Sequence, residues 1–180
     1  MSTSDYARIL AFYNGEKTES GLTFEDIIGF NSSEFETCYN FVQWLFPLPT
    51  KSNYSVSAPV LTKEESKKMS MGPGVKDKIT EAFFFMCKRY SLSVSSVGGN
   101  IVVRKEKKFN KYWFSSRNHN TLRITRMLTC LMNFGLEEYA YAFYGCLLSL
   151  SLQYPGRIKK TTWDYWEEAV FPEKYVDRKV

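Results

Sequence analysis

His119, Arg123 and Arg126 fall at i, i+4 and i+7 of a stretch that opens Asn118-His119-Asn120, so on a helix starting near Asn118 their side chains share one stripe. Near a helix N-terminus, with Asn118 or Asn120 as cap, three such donors can hold a carboxylate or a phosphate through two-pronged arginine contacts and free backbone amides. The same residues serve equally as a structural network, in which Arg123 and Arg126 pair inward with Glu36, Gln43 or nearby carbonyls and lock two helices together. Trp44, next to Gln43, is of a residue type enriched at recognition hot spots and reads as an anchor or as core.

A second constellation is basic and aromatic. Between Arg104 and Arg126 stand eight basic side chains (Arg104, Lys105, Lys107, Lys108, Lys111, Arg117, Arg123 and Arg126) and a single acid, Glu106, a balance of +7. Residues 1–50 carry two basic and seven acidic side chains, so the modest net charge of +5 is unevenly spread along the chain. Gathered on one face, the basic segment attracts phosphates, acidic peptides or anionic surfaces over about a Debye length. The run from Phe109 to Phe114 (FNKYWF), interleaved with Lys107, Lys108 and Lys111, has the ingredients for stacking bases while neutralising phosphates. A core helix with lysines outside accounts for it as well.

Catalytic signatures are sparse. One histidine excludes a multi-histidine metal site, no C-x-x-C pair offers zinc, and no P-loop, G-x-G-x-x-G or G-x-S-x-G stretch is present. Cys130 and His119 lie eleven residues apart on one predicted helix, about 16 Å at the standard rise, so they cannot meet there as nucleophile and base. No enzymatic activity, cofactor or metal is expected.

The elements that must position these residues are mostly helices. At 180 residues with 44% apolar composition, the chain can bury a core without staples, and one folding unit over 1–180 is expected. Apolar residues at Ile9, Leu10, Phe12 and Tyr13 mark a first helix within Asp5–Asn14. Thr23 with Asp26, Ser33 with Glu36, Thr62 with Glu65 and Thr161 with Asp164 have the spacing of capping boxes. The second of these starts a helix whose stripe is Phe35, Cys38, Tyr39, Val42, Leu45 and Phe46, stopped by Pro47 and Pro49. After Gly72-Pro73-Gly74, another stripe runs Val75, Ile79, Ala82, Phe83, Met86 and Tyr90. A helix from Asn118 buries Ile124, Met127, Leu128 and Leu131, Gly135 caps it in the left-handed region, and the next helix follows from Glu137 to about Gln153. The last helix turns Trp163, Trp166 and Val170 inward. The fold class is all-α, or nearly so, with a small β-hairpin near 91–104 around Gly98-Gly99-Asn100 as the exception the pattern allows.

Cys38, Cys87, Cys130 and Cys146 are widely spaced among apolar neighbours and read as reduced, buried thiols. The opening Met-Ser-Thr-Ser-Asp has neither the basic and apolar segments of a signal peptide nor a myristoylated glycine. The longest uncharged stretch, Tyr139 to Gly156, is interrupted by polar residues and is shorter than a bilayer span. A cytoplasmic or nuclear location without membrane attachment is expected, while the oligomeric state is open.

Three stretches together resemble the conserved domain of opioid growth factor receptors: Phe35 to Leu48 (FETCYNFVQWLFPL), Asn118 to Leu136 (NHNTLRITRMLTCLMNFGL) and Thr161 to Ala169 (TTWDYWEEA). Phe12 to Gly15, Gly21 to Ile28 and Ala58 to Thr62 extend the likeness over nearly the whole chain. Tyr39 stands where that family usually has His, so any role resting on an imidazole there is missing. The resemblance implies a nucleus-associated family whose named receptors bind an enkephalin peptide, and it fits a non-catalytic interaction module. The expected partner is a protein or peptide held on a basic surface. Candidate contact residues are Gln43, Trp44, Lys107, Lys108, Lys111, Arg117, Asn118, His119, Asn120, Arg123 and Arg126. A nucleic acid bound by the basic 104–126 segment is the alternative.

Overall fold

The computed structural model describes residues 4–52 and 55–179, which form two compact units, Met1–Phe85 and Met86–Val180. The described residues are mainly helical, with one two-stranded antiparallel sheet, the class the sequence implied.

In the first unit, α1 (Asp5–Tyr13) starts where the Ser4 hydroxyl accepts the Ala7 N–H, and it buries Ile9, Phe12 and Tyr13. Phe12 lies 5.8 Å from Phe24 and 5.3 Å from Trp44, and the Tyr13 hydroxyl donates to the Leu45 carbonyl at 3.1 Å. Helix α2 (Phe24–Ile28) opens on the expected box of Thr23 and Asp26. The box of α3 (Ser32–Thr37) is Asn31 with Glu34 instead of Ser33 with Glu36, since Asn31 Oδ1 accepts from Ser33 and Glu34 and Glu34 reaches back to the Asn31 N–H.

The long stripe from Phe35 to Phe46 is not one helix. Cys38 is extended and α4 (Val42–Leu45) begins anew. The physical reason is Phe41: a continuous helix would hold it at the flank, well off the centre of the apolar stripe. The break lets it bury 5.4 Å from Phe30 and 5.8 Å from Phe35, while Tyr39 becomes exposed. Cys38 is accordingly only half-buried, unlike the other three thiols. Helix α5 (Lys63–Ser70) opens on the Thr62–Glu65 box as expected, and α6 (Val75–Arg89) follows Gly74. Within this unit α6 buries Val75, Ile79, Ala82 and Phe83.

In the second unit, the end of α6 buries Met86 and Cys87, and Tyr90 just beyond it is buried as well. The hairpin pairs β1 (Leu92–Val97) with β2 (Asn100–Lys105) through the two-residue turn Gly98-Gly99, whose φ values of 58° and 83° are those of a type I′ turn. Leu92 and Val103 bury on one face and Ser93, Ser95 and Arg104 stand exposed on the other, the alternation of a half-buried ribbon. Helices α7 (Asn120–Asn133), α8 (Glu137–Gln153) and α9 (Lys160–Val170) pack on one another, and β2 lies on α8. Gly135 has φ 68°, and the Leu136 N–H returns to the Leu131 carbonyl, so α8 follows α7 almost at once. Thr161 and Asp164 do not cap α9. Its N-cap is Lys159, whose N–H goes to Ser116 Oγ at 2.6 Å, and Asp164 pairs with Lys160. Trp166 is fully buried, its indole N–H on the Thr121 carbonyl, and a 3-10 helix (Pro172–Lys179) closes the unit. Among the described residues no helix is long and apolar enough to cross a membrane.

Candidate functional site

The residues singled out in the sequence fall into three environments. Gln43 and Trp44 belong to α4 in the first unit and are both buried. The Gln43 amide donates to Ser52 Oγ at 2.9 Å, while its Oε1 meets no partner among the described residues. Trp44 packs on Phe12 with the Arg8 guanidinium 5.4 Å over its ring, at the floor of an open cleft of about 560 Å³. The cleft rim carries both signs, with Arg8 and Lys17 facing Asp5, Glu16 and Glu19, and Arg8 bridges Asp5 and Glu19.

The start of α7 carries a buried polar network. Asn118 Oδ1 accepts from the Asn120 backbone N–H at 2.9 Å and from its side-chain amide at 2.7 Å. Asn120 Oδ1 in turn accepts from the Tyr90 hydroxyl at 3.1 Å and from Arg123 Nη1 at 3.2 Å. Arg123 is only 6% exposed, so its charge sits in a dry, hydrogen-bonded place. Arg126 is half-buried, and burial pushes its guanidinium below the usual arginine range. His119 precedes the helix without capping it through its side chain. Asn118, His119, Asn120 and Arg123 are thus together, and Arg123 faces inward.

The third environment is the segment from Glu106 to Asn118, an irregular loop and not a helix. Its shape comes from four anchors. Trp113 stacks on Tyr90 at 4.4 Å and donates its indole N–H to the Tyr90 carbonyl at 2.8 Å. Arg157 reaches across with Nε on the Phe114 carbonyl at 2.7 Å and Nη2 on the Lys111 carbonyl at 3.0 Å. The Ser116 N–H donates to the Arg157 carbonyl, and Ser116 Oγ receives the Lys159 N–H. Phe109 stacks on Tyr154, 5.7 Å away, with Lys105 over both rings.

With the aromatic groups Trp113 and Phe114 turned in, the charges are left outside. Arg104, Lys105, Lys107, Lys108, Lys111 and Arg117 are all exposed, and among the described residues none of them pairs with a carboxylate. Tyr112 stands between them, 77% exposed. The anchors draw Arg157 and Lys159 to the same surface. These residues, with Tyr154, escaped sequence reasoning because they contact the loop from more than forty positions further on. Among the described residues no group of three or more His, Cys, Asp or Glu is gathered to hold a metal ion.

The model of the opioid growth factor receptor conserved region matches residues 3–179. The chain is 30% identical to the opioid growth factor receptor of Homo sapiens over 173 residues, 89% of this chain and 25% of that protein. The receptor of Rattus norvegicus is 30% identical over 136 residues, 72% of this chain and 23% of its own, and that of Mus musculus is 29% identical over the same span, 21% of its own. The chain therefore spans about a quarter or less of the length of these curated relatives. No solved structure matches it.

Proposed function

Since the chain belongs to the opioid growth factor receptor conserved-region family, we propose that it is a non-catalytic binding module that holds an acidic segment of a protein or peptide partner on the basic loop of its second unit. The observation that carries this reading is the anchored loop itself. Among the described residues six cations stand exposed without a carboxylate partner, Arg104 and Lys105 at the end of β2 and four on a loop pinned by Arg157, Ser116 and Trp113, so the charge pattern is presented without the entropy cost of ordering a floppy segment at binding. Arg123 contributes from within, as a strut for the start of α7, and the contact residues are Lys107, Lys108, Lys111 and Arg117 with Arg104 and Lys105. Cations on a fixed surface also speed encounter with an acidic partner.

Fluorescence anisotropy with a labelled poly-glutamate peptide tests the reading. Binding that weakens as salt rises, and that drops at least about tenfold in a Lys107→Glu, Lys108→Glu, Lys111→Glu variant, is the expected result. Equal binding by the parent and this variant would remove the proposal. One observation favours a second reading: exposed Tyr112 beside Lys111 has what is needed to stack a base. A single-stranded oligonucleotide in the same assay separates the two, because it would outbind the peptide and lose affinity on Tyr112→Ala.

A further inference from the structure

The hairpin has a free edge, and its geometry says which groups it offers. The Glu106 N–H donates to the Ser91 carbonyl at 2.9 Å, which sets the parity of the ladder: Ser93 with Arg104, Ser95 with Val102 and Val97 with Asn100 are the pairs that exchange hydrogen bonds. Ile101, Val103 and Lys105 consequently turn their N–H and C=O away from β1. The sheet has two strands, so among the described residues no third strand meets these groups.

Beside that edge runs an open groove of about 510 Å³, with the whole of Ile101 to Lys105 as one wall and α8 as the other. The α8 wall presents the small residues Ala142, Gly145 and Ser149 above the buried Cys146 and Leu150, with Gln153 at its end. A Cβ placed on Gly145 would meet nothing within 4 Å, so the space over this residue is empty. The groove lining contains Arg104 and Lys105 and no acid, and past the exposed Glu106, where β2 ends, Lys107 and Lys108 add further positive charge.

We propose that the outer edge of β2 takes an extended acidic peptide segment as a third strand, seated over the small-residue flank of α8. This deepens the reading above and rests on it, since it names how the acidic partner is held. Backbone hydrogen bonds to Ile101, Val103 and Lys105 supply the register, alternate side chains of the segment point into the space above Gly145, and its carboxylates, on the opposite face, lie beside Arg104. A second copy of this chain is a poorer occupant, because pairing β2 with itself places the Arg104 and Lys105 charges of two copies along one ribbon, where an acidic segment would neutralise them.

The test uses a fluorescein-labelled peptide of alternating Glu and Val and two forms of it, each N-methylated on one alternate set of amides. One methylated form should lose binding and the other should stay within about twofold of the parent peptide, since only one set faces the edge. Gly145→Leu, which fills the groove, should weaken binding at least about tenfold without lowering Tm. Equal binding by both methylated forms, or undiminished binding to Gly145→Leu, overturns the strand-addition inference. If in that case the Lys107, Lys108, Lys111 variant still loses the peptide, the basic-surface reading stands alone. A peptide that fails to bind the unaltered chain overturns both. A dimer in sedimentation that Gly145→Leu abolishes would assign the edge to a second copy and also overturn the proposal.

Discussion

Asn120 shows how much a single carboxamide can hold. Its Oδ1 serves the Tyr90 hydroxyl and the Arg123 guanidinium, its amide returns to Asn118, and Asn120 itself is fully buried. Asn120→Ala removes the shared acceptor from a phenol and a cation that water does not reach. The expected loss of stability is about 2–4 kcal/mol, larger than for an average substitution, because a buried charge loses a partner. Urea denaturation measures it, and a loss below about 1 kcal/mol would show that other groups take up both donors. The sequence exposed this cluster by its spacing but left its direction open. Spacing places His119, Arg123 and Arg126 on a stripe, and only the packing of Tyr90 beneath Asn120 shows that Arg123 looks inward.

At the scale of elements, the hairpin depends on two glycines. Gly98 and Gly99 both lie at positive φ, where a Cβ clashes with the backbone, so Gly98→Ala or Gly99→Ala should each cost roughly 1 kcal/mol and lower hydrogen-exchange protection across β1 and β2 first. Unchanged protection in both variants would mean that contact with α8 holds the ribbon irrespective of its turn. Elements with local determinants were readable in advance: the boxes at Thr23 and Thr62, the C-cap at Gly135 and this turn each need only three or four adjacent residues. The misreadings share a cause. Asn31-Ser32-Ser33-Glu34-Phe35-Glu36 contains two overlapping boxes, and tertiary burial of Phe35 and Phe41 selects the earlier one and ends α3 at Thr37. The loop from Glu106 to Asn118 takes its form from Arg157 and Lys159, which no window around the loop includes.

For the whole molecule, the charges foretell the response to acid. Glu25 is held below 4.5 by its hydrogen bond from Lys78, Asp26 below 3.8 by the Thr23 N–H, and Glu167 below 4.5 by Lys174 and Tyr175. Depressed carboxylates stabilise the fold fully above their unfolded values, and this contribution is lost as pH falls through the folded ones. Thermal unfolding should therefore be nearly constant from about pH 7 to about pH 5 and decline below about pH 4.5, in both units, since Glu25 and Asp26 lie in the first and Glu167 in the second. A Tm at about pH 3 equal to that at neutrality would contradict it. The same second unit contains a row of rings that begins inside and ends at the surface: Tyr90 under Trp113, Trp113 against Phe109, Phe109 on Tyr154, and Lys105 above the last two. Whatever draws the Lys105 ammonium outward unloads that row from its solvent end, and the disturbance arrives at a shielded indole. Occupancy of the surface is thereby written into the light the chain emits on its own, with no dye attached.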